Sequence, residues 1–400
     1  MTAQAVALWI AAAIGLSVPI STALDSLLRA AFLVAWAASG RWREKWAAVR
    51  DNAFVAFPVA LFLLQVAGTV YSMGERADIL DATTKAATLL IIPLLVSLQP
   101  SEVWRRRALV AFAAAMLVTL ALSFPVWWGW IPQGDVFKGL PVDAVVFKKK
   151  ITHSVFMAYA AFVFALWARE AQDRRGRWLF AVLALAASFN ILFMVQSRTG
   201  QVVLVALLYY FLYSTLRWRG IVVGAGVAIA IAVAGLLVPS SPVYMRALTT
   251  VQEVEDWEAG KPVDVSNLRL EAWTNSVRIW RQHPIVGVGT GGYSAAYAAR
   301  IQGTARPEST NPENQYLLLA VELGAVGVAA LLTLFAAQWR LAARLATRRD
   351  TDLARGLVIL MALGCLFNSF LHDHAESLFY VWLSGLLYAG LQRGSRARPA

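Results

Sequence analysis

Residues 314–337 read NQYLLLAVELGAVGVAALLTLFAA, and Glu322 is the only charged residue among them. A helix needs about 20 consecutive apolar residues to cross the hydrocarbon core of a bilayer. Every backbone polar group must find a partner inside such a segment, and a helix provides those partners locally. This stretch therefore predicts a membrane-spanning helix.

The composition of the whole chain supports the same interpretation. Of its 400 residues, 59% are hydrophobic and only 15% are charged, whereas about 25% are charged in soluble domains. Such a composition excludes an ordinary soluble domain and a disordered chain. The single cysteine, Cys365, excludes an internal disulfide and a cysteine-rich zinc site. We therefore expect an all-α integral membrane protein.

About twelve apolar segments are long enough to serve as spans, although some are short. They lie near residues 4–20, 22–39, 52–71, 84–98, 107–131, 151–169, 177–196, 201–217, 221–238, 314–337, 355–371 and 375–391. This pattern predicts nine spans within residues 1–238, a large loop at residues 239–313, and three spans within residues 314–400.

The net charge of +12 is distributed in a way that predicts the orientation of the chain. The segments after every even-numbered span, including the C-terminal tail, hold more than half of the 36 Lys and Arg residues. Cytoplasmic loops carry such an excess of positive charge. We therefore expect both termini in the cytoplasm, and we interpret the basic charge as topology rather than as a nucleic-acid surface.

The loop at residues 239–313 lies on the opposite side of the membrane, which we take to be the periplasm. Residues 265–282 are expected to form a helix within it. Trp273, Val277 and Trp280 share one face of that helix, which is typical of an amphipathic helix at a membrane interface. The loop is too long to be a simple connection and is expected to carry function.

Several cations on this outer side do not follow the orientation rule. Lys148, Lys149 and Lys150 precede the sixth span, and Arg198 lies in a turn between two apolar segments. These side chains could contact lipid headgroups, or they could capture an anionic substrate, because arginine binds phosphate in a bidentate manner. His153, one helical turn further on, could assist phosphate binding or bond to a neighbouring helix.

Four motifs follow one another in the second half of the chain. An R-x3-W helix is followed by an H-P-hydrophobic-x-G-x-G turn, and N-x-Y-L then leads to E-L-G-x-x-G. These motifs occupy residues 267–273 (NLRLEAW), 283–293 (HPIVGVGTGGY), 311–317 (NPENQYL) and 322–327 (ELGAVG). Their order resembles that of the O-antigen ligase and polymerase superfamily, and so does the layout of twelve spans with a large late periplasmic loop.

The resemblance implies a GT-C-like membrane glycosyltransferase of the bacterial inner membrane. Its donor would be an undecaprenyl-diphosphate-linked glycan. In the ligase branch, lipid A–core oligosaccharide accepts that glycan on the periplasmic face. Members of this branch are similar to inverting enzymes that need no metal or other cofactor, and membrane lipids surround them.

The resemblance also implies roles for individual residues. Arg269 matches the essential arginine of the large loop, and Arg198 matches the arginine of the turn between two central spans. The family's histidine, in the pattern H-[NSQ]-x9-G-x-x-G, falls on Glu313 in this sequence. A carboxylate can also accept the proton of an acceptor hydroxyl, so Glu313 is the predicted base; it could instead cap the following helix.

Other polar residues near these motifs are further candidates. Asn314 and Tyr316 follow Glu313 directly and are expected to contact the substrate. His372 and His374 form an outer hinge between the last two spans, and either could replace the missing family histidine as the base. Histidines at i and i+2 in a turn are weak evidence for a metal site, so we predict no metal.

Two other classes of function remain open on the sequence alone. An O-antigen polymerase would use the same donor but extend another lipid-linked glycan. A lipid-linked glycan transporter or flippase would move the substrate without transferring it, and twelve spans would suit one. Transporters tend to place charges near the membrane midplane, whereas here the polar groups gather on one side, which favours an enzyme.

Overall fold

The computed structural model describes residues 2–134, 136–195, 197–226, 248, 251, 268–304 and 306–392. Within these ranges the regular structure is helical throughout. The fifteen helices that we number are α1 (Ala3–Ser17), α2 (Thr22–Ala38), α3 (Trp42–Arg50), α4 (Ala56–Gly68), α5 (Arg76–Ala86), α6 (Ile91–Ser97), α7 (Glu102–Trp127), α8 (Lys150–Glu170), α9 (Arg174–Phe189), α10 (Arg198–Leu216), α11 (Leu268–Gln282), α12 (Tyr293–Ile301), α13 (Gln315–Ala342), α14 (Arg348–Phe367) and α15 (His374–Tyr388).

The all-α membrane architecture predicted from the sequence agrees with these helices. Among the described residues, six helices are long and apolar enough to cross a membrane, or seven if α2 and α3, bent by 112°, form one broken span. The shorter apolar helices α1 and Ala56–Tyr71 coincide with two further predicted spans. Helices α14 and α15 coincide with the predicted spans at 355–371 and 375–391 but are not among these candidates, and most of the predicted span at 221–238 and the beginning of the large loop lie outside the described residues. The count of twelve therefore stays a prediction.

Two helices form the centre of the bundle. Every residue from His153 to Leu166 in α8 is buried, and so is every residue from Ala375 to Tyr388 in α15. A helix that is apolar on all sides is stable only when other helices surround it. Accordingly, α8 packs against α9 and α10, while α15 packs against α6 and α14.

Helix α13 contains a sharp kink that the glycine-rich segment at residues 283–292 stabilises. Gly324 has a φ of +65°, and a Cβ there would meet a backbone oxygen at 2.2 Å, so only glycine fits this position. The kink leaves backbone groups of α13 without helical partners. The N–H of Gly289 donates to the carbonyl of Glu322 at 2.8 Å, and Ala325 donates to the segment's proline carbonyl at 2.8 Å. The two glycine motifs are therefore one structural unit.

The connectivity places the beginnings of α8, α10, α13 and α15 at one end of the bundle, together with the end of α14. We call this the cleft end. The end of α8 and the beginning of α14 lie at the other end, which we call the opposite end. Among the described residues, the beginning of α8, helix α11 and the loop at residues 306–313, which the sequence assigns to the periplasm, lie at the cleft end.

Candidate functional site

A cleft of about 920 Å³ opens at the cleft end. The beginnings of α8 and α10 contribute to it, together with α11 and the loop at residues 306–313. Its polar and charged lining residues are Lys150, Ser197, Arg198, Thr199, Arg269, Glu308, Ser309, Asn311 and Glu313. Both predicted arginines, the predicted base and one predicted lysine thus line one cavity.

The first turn of α10 holds Arg198 against the first turn of α8. The hydroxyl of Ser197 caps α10 by accepting from the N–H of Gly200 at 3.3 Å, and it also accepts from the hydroxyl of Ser154 at 2.7 Å. A Cβ at position 200 would meet Ser154 at 2.3 Å, so glycine permits this close approach. A helix start with an arginine is a favourable place for a phosphate.

Lys150 also lies at the start of a helix, and its charge has a partner. Its ammonium lies 3.1 Å from a carboxylate oxygen of Asp143, and its side chain is 44% exposed. An exposed ion pair of this kind contributes little to stability, so a phosphate can compete for the lysine. Asp143 was not identified from the sequence.

Arg269 and Glu313 form an ion pair inside the cleft. The Nε of Arg269 donates to Oε2 of Glu313 at 2.9 Å, and a terminal nitrogen of the guanidinium donates to the same oxygen. The two side chains are 40% and 52% exposed. Glu313 has a φ of +50°, an unusual value for a residue other than glycine, and such outliers cluster at functional sites.

The loop that carries Glu313 is tied to two other parts of the protein. The side-chain oxygen of Asn311 accepts from the N–H of Glu313 at 2.9 Å and from the hydroxyl of Ser369 at 2.7 Å. The indole of Trp273 donates to the carbonyl of Pro312 at 2.9 Å. The position of Glu313 therefore depends on α11 and on the connection between α14 and α15.

Asn314 and Tyr316 do not line the cleft. The side-chain oxygen of Asn314 caps α13 by accepting from the N–H groups of Tyr316 and Leu317 at 3.0 Å. The hydroxyl of Tyr316 donates to the carbonyl of Ala362 at 2.9 Å. Both side chains fasten the start of α13, and their predicted contact with substrate stays a prediction.

His153 is buried in α8, away from the cleft lining. Its Nδ1 accepts from the N–H of Val146 at 3.3 Å, and its Nε2 lies 3.1 Å from the side-chain oxygen of Asn190. Because Nδ1 accepts, the ring proton lies on Nε2 and is donated to Asn190. Of the two alternatives for His153, this geometry supports the bond to a neighbouring helix.

The other two lysines before α8 lie outside the cleft lining. The ammonium of Lys148 lies 2.9 Å from the hydroxyl of Thr22 and 3.5 Å from a carboxylate oxygen of Asp25. Burial lowers the pKa of Lys148, although Asp25 opposes that shift. Lys149 is exposed. Lys150 is therefore the lysine of this group that the structure brings to the cleft.

The hinge between α14 and α15 holds both alternative bases, and neither lines the cleft. The Nε2 of His372 lies 3.8 Å from a carboxylate oxygen of Asp81, and that of His374 lies 3.9 Å from one of Asp25. Burial lowers the pKa of His372 to about 4 and raises the pKa of Asp373 to about 7. Among the described residues, no three His, Cys, Asp or Glu side chains are grouped to hold a metal ion.

Two acidic residues of the site were not identified from the sequence. Glu308 lines the cleft. Glu271 is buried on α11 and accepts from Arg306 at 2.6 Å. Pro307 and Pro312 on either side of the Glu308 to Asn311 segment were a signal that this stretch is conformationally restricted. A single charge in a long loop is otherwise indistinguishable from a solvated surface charge.

The chain is similar to known proteins in two comparisons. A chain from the solved structure "Structural coordination of polymerization and crosslinking by a peptidoglycan synthase complex" is 16% identical to it. That likeness has a TM-score of 0.48 and covers 84% of this chain and 94% of the other. No curated protein matches the chain.

The family model described as O-antigen ligase matches residues 183–332. This range includes Arg198, Arg269 and Glu313, and it contains all four motifs that carry the resemblance. Members of that family are glycosyltransferase-like enzymes. Residues 183–332 of this chain therefore match the O-antigen ligase family model, in agreement with the resemblance that the motifs carry.

Proposed function

We propose that the protein is an O-antigen ligase of the bacterial inner membrane. It would transfer a glycan from undecaprenyl diphosphate to lipid A–core oligosaccharide on the periplasmic face, with both termini in the cytoplasm. The observation that carries this proposal is the cleft in which Arg198, Arg269 and Glu313 meet. The family match supports the class of reaction.

The three cations of the cleft suit the donor's diphosphate. When the anomeric C–O bond breaks, negative charge grows on the leaving diphosphate. Lys150, Arg198 and Arg269 can stabilise that charge through charge-assisted hydrogen bonds. In this mechanism the cations supply the charge stabilisation that a metal ion supplies in other transferases, so the proposal includes no metal or other cofactor.

A carboxylate of the cleft completes the reaction by accepting the proton of the acceptor hydroxyl. The oxygen of that hydroxyl attacks the anomeric carbon from the face opposite the diphosphate, so the configuration inverts. Glu313 is a candidate for this role, because the histidine of the family pattern falls on its position. The structure adds that Glu313 also holds the guanidinium of Arg269.

The test is the lipopolysaccharide of a deletion strain, analysed by gel together with its pool of lipid-linked glycan. We expect bare lipid A–core, with long glycan accumulating on the carrier lipid. Core that carries a single repeat unit and no long polymer would instead indicate an O-antigen polymerase.

A second measurement separates an enzyme from a transporter. Purified protein is mixed in detergent with the lipid-linked glycan and lipid A–core, where no membrane separates two compartments. Formation of the glycan–core product supports a transferase. Its absence, with protein that still binds the donor, would overturn the proposal in favour of a lipid-linked glycan transporter.

A further inference from the structure

We infer that Glu308 is the carboxylate that takes the proton from the acceptor hydroxyl, and that Glu313 acts as a positioning residue for Arg269. The inference rests on the proposed transferase function and refines it, because it divides two tasks between two acidic residues. Both side chains line the same cleft, five positions apart in the chain.

One oxygen of the Glu313 carboxylate is already bonded to a cation. Its Oε2 accepts two hydrogen bonds from the guanidinium of Arg269. Moving a proton onto Glu313 would remove the negative charge that holds this guanidinium. The loss of that attraction would oppose the transfer and would release Arg269 at the moment when the leaving diphosphate needs it.

Glu308 differs from Glu313 in its partners. Its side chain is exposed to the cleft. Among the described residues, no side chain or backbone group forms an ion pair or a hydrogen bond with its carboxylate. Its oxygens can therefore accept a hydrogen bond from an incoming sugar hydroxyl, which is the first requirement for a general base.

The backbone around Glu308 is anchored on both sides. On one side, Arg306 donates to the buried carboxylate of Glu271 at 2.6 Å, which ties the loop to α11. On the other side, the hydroxyl of Ser369 donates to Asn311 at 2.7 Å, which ties the loop to the connection between α14 and α15.

Between these anchors, the hydroxyl of Ser309 donates to the carbonyl of Asn311 at 3.0 Å. Pro307 fixes its own φ and restricts the backbone beside Glu308. Catalytic groups act efficiently only when their supporting residues hold them in place. An exposed glutamate on an unconstrained loop would lack this support.

The two roles fit one balanced reaction. The hydroxyl oxygen of the acceptor forms the new bond to the anomeric carbon, and its proton moves to the carboxylate of Glu308. The anomeric C–O bond to the donor breaks, and the diphosphate leaves with the electron pair towards Arg198 and Arg269. Glu313 keeps Arg269 oriented throughout, and Glu308 later gives its proton to solvent.

The experiment compares glutamine and alanine variants of both residues in the purified transfer assay, with donor and acceptor varied separately. We expect Glu308→Gln to lower kcat by about 100-fold or more while leaving the donor KM unchanged. We expect Glu313→Gln to raise the donor KM, because Arg269 loses its orientation. Glu75→Gln, an exposed glutamate at the start of α5, is the matched control.

Chemical rescue distinguishes a base from a positioning residue. Formate is a small carboxylate that can occupy the space left by a truncated glutamate. We expect it to restore part of the activity of Glu308→Ala and none of the activity of Glu313→Ala. Glu308→Asp, which keeps the carboxylate, should be more active than Glu308→Gln even if the alanine variant unfolds.

Two results would overturn the inference. Near-normal kcat in Glu308→Gln would show that this carboxylate is not the base. Rescue by formate of Glu313→Ala instead of Glu308→Ala would return the role to Glu313. In both cases wild-type protein would still transfer glycan, so the proposed function would stand; inactive wild-type protein would remove the proposed function and this inference together.

Discussion

The two ends of the helical bundle use the same chemical pair for different purposes. At the opposite end, a terminal nitrogen of Arg169 lies 2.6 Å from Asp352, and the side chains are 14% and 4% exposed. At the cleft end, Arg269 contacts Glu313, and the side chains are 40% and 52% exposed. Both pairs join an arginine to a carboxylate, but the first pair is buried and the second is exposed.

The buried pair belongs to a network that joins three helices. The hydroxyl of Tyr210 on α10 donates to Asp352 at 2.9 Å, so this residue of α14 links α8 to α10. Arg105 of α7 lies 3.3 Å from Asp350 in the same turn of α14. Arg169 and Asp352 are buried and bonded to each other, whereas the exposed pair Arg269–Glu313 lines the cleft. The comparison shows that burial, more than residue type, separates an arginine held in a structural network from one that is accessible at the cleft.

The largest expected effect tests the buried ion pair between Arg169 and Asp352. Asp352→Ala leaves the guanidinium of Arg169 in a buried site without its main partner. Removing one member of a buried pair costs about 3–5 kcal/mol, so we expect a large fall in the free energy of unfolding. Thermal unfolding in detergent measures it.

The control for this variant is Glu44→Gln, because the Arg41–Glu44 pair is 56% and 64% exposed. Its loss should change stability by less than about 1 kcal/mol. Equal shifts in Tm for Asp352→Ala and Glu44→Gln would contradict the distinction between buried and exposed pairs.

The second-largest expected effect tests the exposed ion pair between Arg269 and Glu313. Arg269→Ala should lower glycan transfer by about 100-fold or more, because it removes a donor aimed at the leaving diphosphate. Its Tm should change little, since the pair is exposed. Arg278→Ala, an exposed arginine on the same helix, is the control. Wild-type activity in Arg269→Ala would remove this residue from the site.

Glu313→Gln should have a smaller effect on transfer, a loss of at least about tenfold. The substitution keeps the size of the side chain but removes the charge that holds Arg269. Steady-state kcat/KM for the donor, at saturating acceptor, measures the loss. Near-normal rates would deny Glu313 both the predicted role as base and the positioning role.

The smallest effect concerns the hinge between α14 and α15 at the cleft end. There the contributions of His372 and Asp373 to stability change with pH in opposite directions. The folded pKa of His372, about 4, is below its ordinary 6.5, so its contribution to stability is full above pH 6.5 and is lost as the pH falls towards 4. The folded pKa of Asp373, about 7, is above its ordinary 3.8, so its contribution is present at low pH and is lost as the pH rises through 7.

We therefore expect His372→Asn to raise the Tm relative to wild type at pH 5, and Asp373→Asn to raise it at pH 8, each by about 2 °C. Thermal unfolding at pH 5, 6.5 and 8 measures these shifts. Parallel pH profiles for wild type and both variants would show that neither group titrates abnormally in the folded protein.

The sequence allowed most of the helical pattern to be predicted, because the spacing of apolar residues reports directly on spans. Predicted segments such as 151–169 and 201–217 coincide with α8 and α10. The site was only partly predictable. Arg198, Arg269 and Glu313 were identified from motifs. Glu308 was missed, because the flanking prolines indicate only a restricted loop and the importance of this carboxylate depends on which other elements surround it.

The lysines before α8 illustrate the same limit. Lys148, Lys149 and Lys150 are adjacent and chemically identical in the sequence. Only the folded chain brings Thr22 and Asp25 of α2 to Lys148 and leaves Lys150 at the cleft.

The sequence by itself determined that this protein is a helical membrane protein with the motifs of the O-antigen ligase superfamily, since composition, apolar spacing and motif order are properties of the linear chain. The tertiary structure decided which charges are occupied and which face the cleft. Ion pairs such as Arg169–Asp352 and Arg269–Glu313 join residues far apart in the chain, and their strength depends on burial. Only the folded protein sets that burial.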